Sequence, residues 1–407
     1  MPPRELPPRL ARLLATCLAL AAPAARGQDA DADPEARAPA SAPASAAPGF
    51  AGEVRQHFRA WDRDGSGGLS VDEIELAVHD PRVKGAAAAA AASLRRAVRA
   101  PPDVAPVTPA QVEGAAGRGA RPPYEAMFAA ALTRIGRAPR DLFTADAPRV
   151  DRLAQGRLGD CFLLVSLGTC AARDPGRLRS IMRAQPDGTV RVRFGDGHDL
   201  TIAAPTDAEI ALGASTADTG VWANVYEKAV GTILLGRQAT RRHLTPLAQI
   251  GGGGSPAVPL EILTGHEVER HPCDPYRHRR DLDGASAADL APLRRTLGAA
   301  FADRRLVVGG VGGKGDRVGV PGLYFAHSYG VVDFDPRADV VTFWNPMGNK
   351  FTPKGPEGLA HGYATEHGLF RVPLREAVIW FDSFSVETDR RVEDRHRSAG
   401  RSAADRH

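Results

Sequence analysis

The chain is poor in cysteine and lysine, has no apolar run long enough to cross a bilayer, and carries no strong excess of either charge. The formal net charge is +4 over 407 residues. Spread over such a length, that makes a weak field. The basic residues are scattered, except in the mixed-sign stretch Arg390–His407. No basic patch is interleaved with aromatics, so nucleic acid is not an expected partner. The histidines lack the spacing of a metal-ligand set; His266 and His271 come closest, in an expected loop. Metal catalysis is therefore not expected. Rare lysine beside abundant arginine, alanine, glycine and proline reflects coding bias more than chemistry. There is no internal repeat. What remains is an ordinary globular composition, 43% apolar and 25% charged. Its length suits two or three domains with a real core.

The N-terminus has a distinct layout. Arg4, Arg9 and Arg12 precede an apolar run from Leu13 to Ala25, and Ala25 and Gly27 are spaced like a leader-peptidase site. Residues 1–27 are read as a secretory signal peptide, which places the protein outside the cell, in the periplasm or at the cell surface. The run is too short to span a membrane. Cleavage would remove Cys17 and leave Cys161, Cys170 and Cys273. An odd count in an exported protein leaves at least one thiol unpaired, or all three, and points to a reactive cysteine.

Composition and periodicity divide the rest. Residues 28–50, rich in Ala, Pro, Asp and Ser, are expected to be a disordered linker. Residues 51–80 read as helix–loop–helix, with Val54, Phe58 and Trp61 and then Ile74, Ala77 and Val78 at helical spacing. Residues 81–122 are expected to be an alanine-rich helix with little to bury, ended by Pro101 and Pro102, and a linker. Residues 123–386 form one continuous domain. Helices are expected over Tyr124–Ile135, within Leu158–Met182 and over Val221–Leu235. Strands are expected over Thr189–Phe194, Arg305–Val311, Ala326–Phe334, Val340–Trp344 and Leu369–Val372. Helices lead and antiparallel strands follow, which indicates α+β. Residues 387–407 are read as a disordered tail.

The chemistry-bearing segment is Gln155-Gly156-Arg157-Leu158-Gly159-Asp160-Cys161-Phe162-Leu163-Leu164. A polar turn runs into an apolar helix that starts at the cysteine. A thiol there meets the positive end of the helix dipole and unpaired N–H groups, both of which favour thiolate, the nucleophilic form. Gly156 and Gly159 are expected to let the backbone approach a substrate. The Gln155 amide and the Cys161 N–H would together stabilise an oxyanion. The opposing reading makes Cys161 a small buried apolar residue.

This segment resembles the active-site signature of the calpain family, papain-fold cysteine peptidases with a helical and a β half. The family has Trp where Phe162 stands. The stretch Gly322–Val331, with His327 before Ser328 and Tyr329, resembles the family's histidine strand. Phe343-Trp344-Asn345-Pro346-Met347-Gly348 resembles its Asn-Pro-Trp-Gly motif, with Met347 in place of the Trp that shields the Asn–His hydrogen bond. Val221–Ala229 resembles its Trp…Glu-Lys-Ala helix, and Leu263-Thr264-Gly265 its Thr-Gly-Gly turn, with His266 replacing the last Gly. These five landmarks fall in the family's order between Leu142 and Phe384. The resemblance implies a two-lobed papain-like domain acting on protein or peptide substrates. It implies Cys161 as nucleophile, His327 as base and acid, Asn345 as the group orienting His327, and Gln155 as an oxyanion donor.

Asp62-Arg63-Asp64-Gly65-Ser66-Gly67-Gly68-Leu69-Ser70-Val71-Asp72-Glu73 matches an EF-hand loop. Asp62, Asp64 and Ser66 would supply oxygens, Gly67 the sharp turn, Gly68 its carbonyl, Ser70 a direct or water-bridged ligand and Glu73 bidentate ligation of Ca²⁺. No second loop of equal quality occurs. In calpains several EF-hands follow the protease, whereas here one precedes it, so calcium regulation does not carry over. The expected function is an exported calcium-binding endopeptidase. The alternatives are a catalytically inactive calpain-like binding protein and a calcium-dependent surface adhesion protein.

Overall fold

A computed structural model describes residues 49–98, 105–114, 123–144, 148–237, 245–277, 289–315 and 317–393. The signal-peptide expectation and most of the first linker lie outside these residues. The fold is α+β, with helices first and antiparallel sheets after. No helix among the described residues is long and apolar enough to cross a membrane.

Helix α1 (Phe50–Trp61) begins at the end of the expected linker, because Phe50 is buried and stacks on Tyr124 with ring centroids 4.5 Å apart. Helix α2 (Val71–His79) opens with a capping box: the Ser70 hydroxyl accepts from the Glu73 N–H, and the Glu73 carboxylate accepts from the Ser70 N–H. Helix α3 (Gly85–Ala97) corrects an expectation. It was read as having little to bury, yet Ala87 to Ala92 are all buried. Methyl side chains let neighbouring helices approach closely from several sides, so a segment with no amphipathic stripe becomes a core helix. It packs against α1, α2, α5 (Tyr124–Arg137) and α8 (Asp207–Leu212). The short helix α4 (Pro109–Val112) follows Val107, which pairs with Leu69 in an antiparallel bridge: Leu69 N–H to Val107 O is 2.9 Å, and the return bond is 2.8 Å. Part of the expected linker is thus the partner of the acidic loop.

Helix α6 (Cys161–Arg173) is buried from Phe162 to Ala171, the signature of a central helix. Helix α7 (Pro175–Ile181) leads into a small antiparallel sheet, β1 (Met182–Ala184), β2 (Thr189–Arg193) and β3 (Asp199–Ala203). After α8 come α9 (Trp222–Gly236), α10 (Pro246–Ile250) and α11 (Ala257–Thr264). The remaining elements are β4 (His266–Pro272), α12 (Asp274–Arg277), α13 (Ala291–Ala302), β5 (Val307–Val311), β6 (His327–Asp335), β7 (Val340–Trp344), β8 (Leu369–Pro373), α14 (Leu374–Trp380) and β9 (Ser383–Arg391). The six strands form one antiparallel sheet in the order β4-β9-β5-β6-β7-β8.

Strand β9 corrects the tail boundary. Residues 387–391 continue the sheet; Glu387 and Thr388 are buried. Glu387 accepts from the Leu306 N–H at 2.7 Å and contacts His266 Nδ1 at 2.7 Å. These partners lie far away in sequence, which local composition cannot register.

Polar contacts join α2 and α3 to the later helices. Thr206 Oγ1 donates to Val78 O (2.6 Å), the Gly85 N–H to Asp207 Oδ2 (2.8 Å) and Thr245 Oγ1 to Glu75 Oε2 (2.8 Å). Glu75 also pairs with Arg95, and His79 Nδ1 lies 2.5 Å from Glu209, which takes Lys228 at 2.9 Å on its other oxygen.

Candidate active site

Three elements converge here: the turn before α6, the start of β6 and the turn after β7. The turn before α6 is braced by backbone. Ala154 and Ser215 exchange hydrogen bonds of 2.8 and 2.7 Å, the Arg157 N–H donates to Leu212 O (2.7 Å) and the Gln155 N–H to Pro346 O (2.6 Å). The last bond ties the turn before Cys161 to the residue after Asn345. Gly156 and Gly159 have a different use from the one expected of them. A Cβ on Gly156 would lie 1.9 Å from Gly213 O, and one on Gly159 2.5 Å from Gly251 O. They admit the chain's own backbone.

Cys161 is the first residue of α6 and is half-buried. Cys161 and Cys170 are free thiols. The Cys161 sulfur lies beside the Ser328 backbone N–H, one residue beyond His327 on β6. His327 is buried, and its Nε2 stands 2.9 Å from Asn345 Oδ1. The amide orientation of Asn345 is fixed independently. Oδ1 also accepts from the Met347 N–H (3.1 Å), and Nδ2 donates to Asn349 Oδ1 (2.9 Å). Oδ1 therefore faces the imidazole, Nε2 carries the hydrogen, and Nδ1 keeps its lone pair. That tautomer leaves a base nitrogen available.

Two residues do what sequence reasoning assigned elsewhere. Met347, at the position where a shielding side chain was expected, is 45% exposed. The imidazole is enclosed by the rings of Tyr329, edge-on at 4.9 Å, and Tyr324, at 5.8 Å. Tyr329 is wholly buried and its hydroxyl accepts from the Tyr324 N–H at 2.7 Å. Nothing in the sequence signals that shielding role beyond the position of Tyr329 two residues after His327. Gln155 also departs from expectation: its Nε2 donates to Leu158 O (2.7 Å), inside its own turn, and its Oε1 is buried without a partner.

Burial pushes the Cys161 thiol up to about 11, against the pull of the Ser328 N–H. Burial pulls His327 down to about 4, against its bond to Asn345. Both shifts favour a neutral thiol and a neutral imidazole. Below its pKa the thiolate fraction rises about tenfold per pH unit. Alkylation of Cys161 by iodoacetamide in the full chain is therefore expected to rise by that factor per unit from pH 7 to 9. A rate that is flat over this range would show a preformed thiolate–imidazolium pair instead.

The second cluster is the loop from Asp62 to Glu73. One oxygen from each of Asp62, Asp64 and Glu73 lies within 4.8 Å of the others. The loop holds them there. The Ser66 N–H donates to Asp62 Oδ1 (3.0 Å) and Asp64 Oδ1 (2.9 Å), and the Gly67 N–H to Asp62 Oδ2 (3.0 Å). Gly67 is left-handed, with φ +80°, a turn an L side chain resists. Glu73 Oε1 accepts from the Arg63 N–H at 2.7 Å. Ser66 Oγ donates to Gly68 O, and the Ser70 hydroxyl serves the helix cap. Three converging carboxylates with only oxygen donors suit a hard cation.

No protein-family model matches the chain, and no curated protein matches it.

Proposed function

We propose that the chain is an exported, calcium-binding cysteine endopeptidase, calpain-like in sequence and papain-like in architecture. The observation that carries the reading is the bond between His327 Nε2 and Asn345 Oδ1, with the Cys161 thiol beside the adjoining residue of the same strand. Cys161 attacks the scissile carbonyl while His327 Nδ1 takes the thiol proton. The imidazolium then protonates the leaving amine. Water, deprotonated by the same nitrogen, releases the acyl group. Asn345 holds the ring throughout. The Cys161 N–H, at the helix start, stabilises the oxyanion; Gln155 joins it once substrate draws its amide away from Leu158 O.

Cleavage of casein by the full chain, with and without calcium chelation, tests this. Wild type is expected to cleave and Cys161→Ala to be inert. A wild-type chain that cleaves nothing in calcium while still labelling at Cys161 would overturn it. The inward-turned Gln155 amide favours a second reading, a non-catalytic binding protein, and that outcome would select it.

Calcium is the proposed occupant of the Asp62–Glu73 loop, with Asp62, Asp64, Ser66, Gly68 and Glu73 as oxygen donors and Ser70 at the remaining position. At calcium about 100-fold above Kd, the folded state gains about 2.7 kcal/mol. For a chain of this length, that corresponds to a rise in Tm of about 3–4 °C. Glu73→Gln is expected to remove the rise. A wild-type Tm that calcium leaves unchanged would refute the site.

A further inference from the structure

Asp160, immediately before Cys161, is wholly buried; neither of its carboxyl oxygens has a well-aligned hydrogen-bond donor among the described residues, the Gln155 side chain and its own N–H being the donors nearby. It caps α6 in sequence but makes no side-chain cap bond. Gln155 Oε1 is a third buried acceptor without a partner. The carboxyl of Glu227, on α9, is also buried and lies within hydrogen-bond reach of Asp160. Glu227 is held as an anion is held: the Ala214 N–H donates to Oε1 (2.7 Å) and Asn224 Nδ2 to Oε2 (3.1 Å). A Cβ on Gly213 would come within 2.3 Å of Glu227 Oε2, so the chain leaves room for that carboxylate.

Two carboxylates in contact away from water repel each other strongly, whereas one proton between them makes a hydrogen bond. Burial, and their mutual repulsion at Glu227, push both carboxyls above the ordinary range. The neighbours are accounted for element by element. Arg134 on α5 donates to Gly213 O and attracts both carboxyls. On α6 stands Cys161, whose thiolate the Asp160 charge opposes. Lys228 on α9 is bonded to Glu209.

We propose that Asp160 and Glu227 share a single proton, carried on Asp160, and that this pair is the positioning element for the N-terminus of α6 and its thiol. The positioning role rests on Cys161 being the nucleophile; the shared proton does not. A proton on Asp160 turns one of its unsatisfied oxygens into a donor to Glu227, and it keeps the negative charge on Glu227, away from the sulfur.

The isosteric variants separate the two placements. Asp160→Asn donates to an ionised Glu227 without a titrating proton. Glu227→Gln fixes the charge on Asp160, next to the thiol. The folded chain holds a proton that the unfolded chain releases above the usual carboxyl pKa, so folding weakens as pH rises through that window, by about tenfold per unit for one proton. Urea unfolding of the full chain from pH 5 to 8 is expected to show wild type losing that one-proton slope relative to Asp160→Asn. Iodoacetamide labelling at pH 7 is expected to be several-fold slower in Glu227→Gln than in Asp160→Asn, an ordering that a merely structural role would not produce. Equal pH slopes overturn the proposal, as does the reverse labelling order. Should Asp160→Asn not fold, infrared spectra of wild type at pH 7 decide the matter. A protonated carboxylic-acid band that Glu227→Gln removes is expected, and its absence from wild type overturns the pair. None of these readouts needs peptidase activity, so failure here is distinct from failure to cleave casein.

Discussion

His327→Ala is expected to lower kcat/KM for peptide hydrolysis by about 10⁴-fold or more. In the proposed mechanism the imidazole both takes the thiol proton and returns it to the leaving amine. With the thiol pushed up to about 11, almost none is ionised at neutral pH without that base. Asn345→Ala should cost less, about 10²-fold, because it removes the group that selects the tautomer and leaves the base. The order of the two variants is therefore part of the prediction. Steady-state kinetics on a fluorogenic peptide, with melting curves to verify folding, would measure both. A His327→Ala chain that keeps a tenth of the activity would remove the imidazole from the mechanism.

The second large effect is one of packing. Gly168, two turns along α6 from Cys161, faces the ring of Trp344. A Cβ there would lie 2.2 Å from Trp344 Cζ3 and 2.6 Å from Cε3. Trp344 is wholly buried and immediately precedes Asn345. The ring cannot retreat freely, since Gly330 and Gly368 also press against it, with Cβ positions 3.4 and 3.2 Å from its atoms. Gly168→Ala is expected to destabilise the chain by about 2–3 kcal/mol, the cost of overpacking a close-packed core. Because relief requires α6 to move away from β7, the thiol would also shift relative to His327 and Asn345. Activity should fall further than stability alone explains. Urea midpoints and kcat/KM, taken together, measure this. Trp344→Phe in the Gly168→Ala background should recover part of the stability; a Gly168→Ala chain within 0.5 kcal/mol of wild type would show that the contact yields easily.

Much of this arrangement is legible in the residues because it is local. The strand at Val340–Trp344 and the start of α6 at Cys161 follow from short motifs whose neighbours lie within a few positions, while the pairing of His327 with Asn345 is what the resemblance implied. The features that stayed hidden depend on partners distant in sequence. Strand β9 extends past the expected tail boundary because β4 hydrogen-bonds it from more than 110 residues away, as at Val268 and Glu387. The bridge from Leu69 to Val107 crosses a stretch whose composition reads as linker. The glycines of the nucleophile turn look made for a substrate until Gly213 and Gly251 are seen to fill the space. The shared-proton pair was invisible for the same reason: Asp160 and Glu227 belong to separate motifs, and their contact exists only once α6 and α9 pack.

The buried face of α3 has a consequence for how the two parts of the molecule stay in step. An alanine side chain has no rotamers to lose, so the methyl seam from Ala87 to Ala92 closes without the side-chain entropy penalty that leucines or methionines would incur. Polar contacts add to the packing at the ends: Gly85 to Asp207, Val78 to Thr206, and Glu75 to Arg95 and Thr245. The acidic loop and the proposed nucleophile turn are thus joined through a thin, close-packed methyl seam with hydrogen bonds at its ends.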